Sequence, residues 1–155
     1  MNCVKKNYHG DECWDFEFEG RQAKLVFPQK PLQDKKWLIK TEYFEAFPSL
    51  ELEMLSRGYF LAYLSNSTRW FAADDSNSKA RFAEFLSENF GLNKKCLPVG
   101  LSCGGMHAVY FAADYPELVA ALYLDAPVLN LLSCPCAVGL AKDKSMYDEF
   151  VSHTG

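Results

Sequence analysis

Five consecutive residues in this chain, Gly100-Leu101-Ser102-Cys103-Gly104, have the types and spacing that nucleophilic chemistry needs. A serine on a sharp turn presents its hydroxyl at the tip. Small residues two positions to either side are required, because a side chain there would strike neighbouring backbone. Ser102 is therefore the candidate nucleophile. A chain of this length contains such a pentapeptide by chance only about 0.05 times, so the flanking elements decide what it means. A serine that merely caps a helix is the competing reading.

The elements around it have the required pattern. Residues 96–101 are a short apolar run that predicts a strand, and residues 106–115 are apolar with helical spacing. Gly105 is a further small residue where that helix must approach the sheet closely. Earlier in the chain, residues 1–13 read as a polar tail. Residues 14–19 alternate aromatic and acidic side chains, Gly20-Arg21 turns, and 22–27 returns, which predicts a hairpin. A polar loop over 28–36 precedes a short strand at 37–40 that runs into Lys40-Thr41-Glu42-Tyr43-Phe44. Residues 48–57 predict a helix with Pro48 in its first turn and Gly58 just past its end. A buried strand at 59–64, a polar connection over 65–78 and a helix at 79–90 follow, with Asn77 or Ser78 as its cap and Gly91 as its stop. After the turn and its helix, 118–124 is another apolar strand, entering Asp125-Ala126-Pro127. Beyond it the pattern weakens to a loop and a short helix near 145–151.

This order predicts a single α/β domain over 1–155: a hairpin, then parallel strands with flanking helices, with 59–64, 96–101 and 118–124 as parallel neighbours. Right-handed crossovers would bring the loop of Phe44, the loop of Ser65, Ser102 and Asp125 to one edge of the sheet, where open parallel sheets place their sites.

Composition narrows the function classes. With 49% hydrophobic residues, 23% charged residues and a net charge of −4, the chain reads as globular and has no basic footprint for nucleic acid or an anionic membrane. No signal peptide and no spanning segment is expected, which makes the cytoplasm the expected compartment. The six cysteines are read as mostly free thiols, because a chain this long can build a core without staples. Cys134-Pro135-Cys136 lacks a second ligand pair at zinc spacing, so neither a metal nor another cofactor is expected.

With Gly-Leu-Ser-Cys-Gly-Gly at 100–105 and this order of elements from residue 14 to residue 127, the chain resembles the α/β-hydrolase superfamily. It looks like the first six strands of that fold, truncated after about the sixth. More narrowly, Tyr-Pro-Glu-Leu-Val-Ala-Ala-Leu-Tyr-Leu-Asp-Ala-Pro-Val at 115–128 is similar to a poorly characterised branch of bacterial hydrolases. In that branch the residue after the nucleophile is usually arginine, whereas this chain has Cys103.

The resemblance implies that Ser102 attacks an acyl carbon and that the Cys103 N–H holds the oxyanion. It implies a second N–H from the loop after the 37–40 strand, at Thr41 or one residue to either side, with Lys40-Thr41 standing where the family has histidine and glycine. It also implies an acid and then a histidine downstream of the serine, on strands that lie past the end of this chain. Asp125 is the candidate acid within the chain. His9, His107 and His153 are its three histidines, with His107 expected to be a packing residue and His153 alone following the family's order. The implied activity is hydrolysis of a carboxylic ester or peptide bond in a small molecule, inactive in this fragment, with a partner completing the sheet. The alternative is a binding or interaction module that keeps the sheet without catalysis. A thiol role for Cys103, whose pKa a helix N-terminus would lower, is a third reading.

Overall fold

The structure is a computed structural model that describes residues 2–70, 72–129 and 144–154. Seven strands form one mixed sheet: β1 (Cys3–Tyr8), β2 (Asp11–Phe18), β3 (Arg21–Phe27), β4 (Trp37–Lys40), β5 (Phe60–Leu64), β6 (Leu97–Leu101) and β7 (Tyr123–Asp125). Their spatial order is β1-β2-β3-β5-β4-β6-β7. The first three form an antiparallel meander with Cys3 opposite Phe16 and Trp14 opposite Leu25, and β3 pairs antiparallel to β5. From β5 onward every pairing is parallel.

Alternation along the central strands separates two cores. Leu25, Ile39 and Ala62 point to one face, under helices α2 (Ala73–Phe90) and α3 (Cys103–Asp114), where Phe82, Leu86 and Phe111 meet them. Their neighbours Val26, Leu38 and Leu61 point to the other, against Leu55 of helix α1 (Ser49–Ser56) and Phe44. A fourth helix, α4 (Lys144–Thr154), lays Met146 and Phe150 against Trp70 and Cys103 above the start of α3.

Several expectations need correction. The polar tail contains a strand, β1, and β2 begins at Asp11 rather than at residue 14. Hydrophobic alternation fails to announce β1 because it is an edge strand facing solvent. Cross-strand ion pairs hold it, with Lys5 on Glu12 at 3.1 Å and Lys6 on Asp15. The strands expected as neighbours are all parallel, but β4 lies between β5 and β6, because α1 carries the chain outward to β5 and α2 brings it back past β4. The expected 118–124 strand contracts to Tyr123–Asp125, preceded by a 3-10 turn at Pro116–Leu118 and one bridge from Val119 to Cys96. Helix α2 starts at Ala73, well before Asn77 or Ser78, with no side-chain cap. Asp74 and Asp75 occupy its first turn, where the helix dipole favours negative charge.

Candidate active site

Ser102 joins the end of β6 to the start of α3 with φ 54° and ψ −121°, a conformation that L-residues rarely adopt. Three backbone hydrogen bonds maintain it: the Ser102 N–H donates to Asp125 O at 3.1 Å, and its carbonyl accepts from Val128 N–H at 2.8 Å and Gly105 N–H at 3.0 Å. The surrounding glycines are sterically required. A Cβ on Gly100 would lie 2.5 Å from the Gly105 Cα, and one on Gly105 would lie 2.3 Å from the Pro127 Cβ. Ser102 forms no side-chain cap on α3, so the capping reading does not describe it.

Cys103, the first residue of α3, is buried against Trp70, Tyr43 and Met106. Burial pushes its thiol pKa up, although hydrogen bonds with Tyr43 and Ser102 act in the opposite direction. The helix N-terminus expected to make a thiolate is outweighed by desolvation, which corrects the thiol reading. The Cys103 N–H, at the first turn of the helix, is among the donors that lack an intrahelical acceptor.

Thr41 is fully buried beside the elbow. Its N–H donates to Val99 O at 3.1 Å, continuing the β4–β6 pairing, and its hydroxyl donates to Gly104 O at 2.6 Å, with Val99 O 3.1 Å from the same oxygen. Thr41 thus fastens the loop to the elbow, and its N–H is already engaged. The next donor is the Glu42 N–H, whose nitrogen lies 3.2 Å from the position of a Cβ on Gly104. Lys40, in the place of the family's histidine, turns to the opposite face. There it pairs with buried Glu51 of α1 at 2.5 Å and donates to Ala46 O at 2.8 Å.

The remaining candidates are scattered. His107 lies in α3 with Nε2 3.2 Å from Thr68 O and 3.1 Å from Arg69 O; both partners are acceptors, so this nitrogen carries the proton. Burial pushes its pKa down to about 4, and nearby Lys79 pushes the same way. His9 sits in the β1–β2 turn against Tyr8. His153 is exposed on α4 and lines an open cavity of about 360 Å³ with Glu42, Tyr43, Tyr63, Asn66 and Arg69. Glu149, one helical turn before it, pairs with Arg69 at 2.9 Å. Asp125 ends β7; its carbonyl holds the Ser102 N–H, while its side chain borders a groove on the α1 side with Lys40, Glu51 and Tyr123. The Cys134-Pro135-Cys136 segment lies outside the described residues. Among those described, no cluster of metal-ligating side chains occurs and no helix is long and apolar enough to cross a membrane.

Sequence reasoning missed Asn66 and Lys79. Lys79 Nζ donates to Asn66 Oδ1, and Asn66 Nδ2 donates to Thr41 O at 2.6 Å and to Glu42 Oε2. A signal existed: Lys79 falls on the apolar stripe of α2 with Phe82, Ala83 and Leu86, at the spacing that a solvated lysine avoids.

No family model matches the chain, and no curated protein matches it. Solved structures do. Lipase A of Candida antarctica aligns at TM-score 0.66 and 12% identity over 88% of this chain and 45% of the lipase. An esterase aligns at 0.58 and 14% over 81% of this chain and 47% of its own. The thioesterase domain from the curacin biosynthetic pathway aligns at 0.52 and 16% over 99% of this chain and 53% of its own. The chain has the α/β-hydrolase fold and spans about half the length of these structures.

Proposed function

We propose that this chain supplies the nucleophile half of a serine hydrolase acting on a carboxylic ester, or a peptide bond, by acyl transfer. The observation that carries the proposal is Ser102, held at φ 54° by three backbone hydrogen bonds between a strand end and a helix start. Maintaining such a conformation costs about 1 to 3 kcal/mol, and strain of that size is characteristic of functional positions. In the proposed step the Ser102 oxygen attacks the acyl carbon and its proton passes to a general base. The carbonyl oxygen gathers negative charge facing the Cys103 N–H and the Glu42 N–H. Glu42 replaces Thr41 as second donor because the Thr41 N–H is bonded to Val99 O. Each such donor contributes roughly 3 to 4 kcal/mol in the transition state.

The base is not among the three histidines. His107 has its Nε2–H on two carbonyls, His9 sits in a distant hairpin turn, and His153 opens onto the cavity without lining it together with Ser102. Asp125 stays outside the proposed machinery because its side chain borders the opposite groove. Acid and base are therefore supplied from beyond the described residues, and without them the serine is a weak nucleophile at neutral pH. The cavity bordered by Glu42, Tyr43 and Tyr63 lies next to the proposed donor and has room for part of a small ester substrate. That the neighbours include a lipase, an esterase and a thioesterase supports an acyl substrate.

The test is labelling with a fluorophosphonate probe, with the adduct located by peptide mass spectrometry. The expected result is slow labelling of Ser102 alone, abolished in Ser102→Ala. Rapid labelling that is lost in His153→Ala would overturn the assignment of an external base. Absence of any adduct at Ser102, even after long incubation, would favour the reading of a non-catalytic interaction module.

A further inference from the structure

A chain of polar groups, anchored on the buried side chains of Asp75 and Lys79, links the body of α2 to the loop that carries the proposed second oxyanion donor. It begins at Asp75, whose carboxylate receives the Ser67 N–H at 2.9 Å, the Ser67 hydroxyl at 3.0 Å and Arg21 Nη1 at 2.5 Å. These bonds fasten the turn after β5 to the first turn of α2. One helical turn on, Lys79 reaches Asn66 Oδ1 with its ammonium group, and Asn66 reaches Thr41 O and the Glu42 carboxylate with its amide nitrogen. Asp75 and Lys79 are both shielded from solvent, at 0% and 1% exposure.

The orientation of the Asn66 amide follows from its partners. Lys79 can only donate, so it must face the amide oxygen. The Thr41 carbonyl can only accept, so it must face the amide nitrogen, and the Glu42 side chain lies on that same side. The consequence lies in the next peptide plane. Thr41 C=O and Glu42 N–H belong to one peptide unit, and the chain contains no cis bonds, so the two groups point in opposite directions. Gripping the carbonyl from the Asn66 side aims the N–H away from Asn66, toward the elbow, where the Glu42 nitrogen already lies close to Gly104.

We infer that Asn66, oriented by Lys79, is a positioning residue that sets the direction of the Glu42 N–H toward the oxyanion. The inference rests on the proposed acyl transfer at Ser102 and specifies how one half of its oxyanion site is built. Asn66 touches no reacting atom in this scheme. It acts through a single peptide plane, with its second N–H restraining the Glu42 side chain at the cavity wall.

The test uses the full chain and two variants, Asn66→Asp and Lys79→Met. Asn66→Asp keeps the volume and an acceptor for Lys79 but removes both donors; Lys79→Met keeps the amide and releases its orientation. Amide hydrogen exchange is read by mass spectrometry on the peptide covering residues 41–47. Phosphonylation of Ser102 is followed at several probe concentrations to separate probe binding from the first-order rate of reaction. In Asn66→Asp, exchange within 41–47 should rise at least tenfold while β5 and the rest of α2 keep their protection. The first-order rate should fall about 100-fold, as misplacement of a catalytic group by about 1 Å can cause, with probe binding within threefold. Lys79→Met should move both readouts in the same direction by a smaller factor. Unchanged exchange in both variants, or an unchanged first-order rate with weakened probe binding, overturns the inference. If the wild-type chain forms no adduct at Ser102, it is the acyl-transfer proposal that falls, and hydrogen exchange alone decides whether Asn66 positions the loop.

Discussion

Protonation of His107 offers a quantitative test of how the site is built. The ring is buried with Nε2–H directed to two carbonyls, and its pKa is depressed from 6.5 to about 4, mainly by desolvation. The unfolded chain takes up a proton on this ring below pH 6.5, whereas the native chain does so only near pH 4. Between those values the unfolded state binds more protons, so native stability falls as the pH falls. Each unit of difference is worth about 1.4 kcal/mol, which gives a loss of about 2 kcal/mol at pH 5 and about 3 kcal/mol at pH 4 relative to neutral pH. The comparison variant is His107→Gln, which retains an N–H donor and helix propensity but does not titrate. Urea denaturation of both chains from pH 7.5 to pH 4.5 at fixed ionic strength gives the difference curve. It should be flat near neutral pH and slope toward loss of wild-type stability below about pH 6.5, with other titrating groups cancelling. A difference curve that is flat throughout, or that shows wild-type stability gained in acid, would refute the reasoning. The imidazole would then accept a proton in the native state and could serve as the base that the proposed mechanism seeks elsewhere.

Ser102→Gly should be more stable than Ser102→Ala by about 1 kcal/mol, because glycine releases the strain of φ 54° at a smaller cost in chain entropy; equal urea midpoints would show that the elbow is unstrained. Gly105→Ala should destabilise the chain by about 1 to 3 kcal/mol, since its methyl group would lie 2.3 Å from the Pro127 Cβ and force residues 125–128 outward. Unchanged stability on urea denaturation would remove that contact from the account. Native Cys103 should resist alkylation at pH 7 while half-buried Cys3 reacts, because burial both covers the Cys103 thiol and raises its pKa. Rapid modification at Cys103, mapped by peptide mass spectrometry, would restore a thiol role.

The elbow was legible in the sequence because its demands are local. Gly100, Gly104 and Gly105 crowd one turn, and a strand and a helix flank it. The α/β-hydrolase fold was legible for a similar reason, since strands and helices alternate with marked ends at Gly58 and Gly91. The insertion of β4 between β5 and β6 was not, because strand order is set by which side of the sheet each helix crosses rather than by any residue within the strands. Strand β1 escaped because Lys5 and Lys6 find their partners on the neighbouring strand, not within the run itself. At the site, a second donor was expected at Thr41 or one residue to either side; the Thr41 N–H continues the sheet, which is why Glu42 takes that place in the proposal. Asn66 stood in a polar connection and Lys79 at the first position of the expected helix, which leaves their partners unstated. Only the three-dimensional path of α2 brings them to the Thr41 carbonyl.

The hydrogen bonds that tie Ser102 to residues 125 and 128 also set a timetable for synthesis. The N–H and one carbonyl contact of the serine are completed by chain that leaves the ribosome more than twenty residues later. The antiparallel meander β1–β3 consists of neighbours in sequence and can assemble while the rest is still being made, since folding proceeds from the N-terminus during translation. Before residues 125–128 are made, the segment at 100–104 has only the local Gly105 bond to hold its unusual backbone and can relax to ordinary angles. The strained backbone of the serine is thus acquired after the meander, once residues 125–128 are in place. Until residue 128 has emerged and docked, Ser102 lacks two of the three backbone hydrogen bonds that hold its φ at 54°.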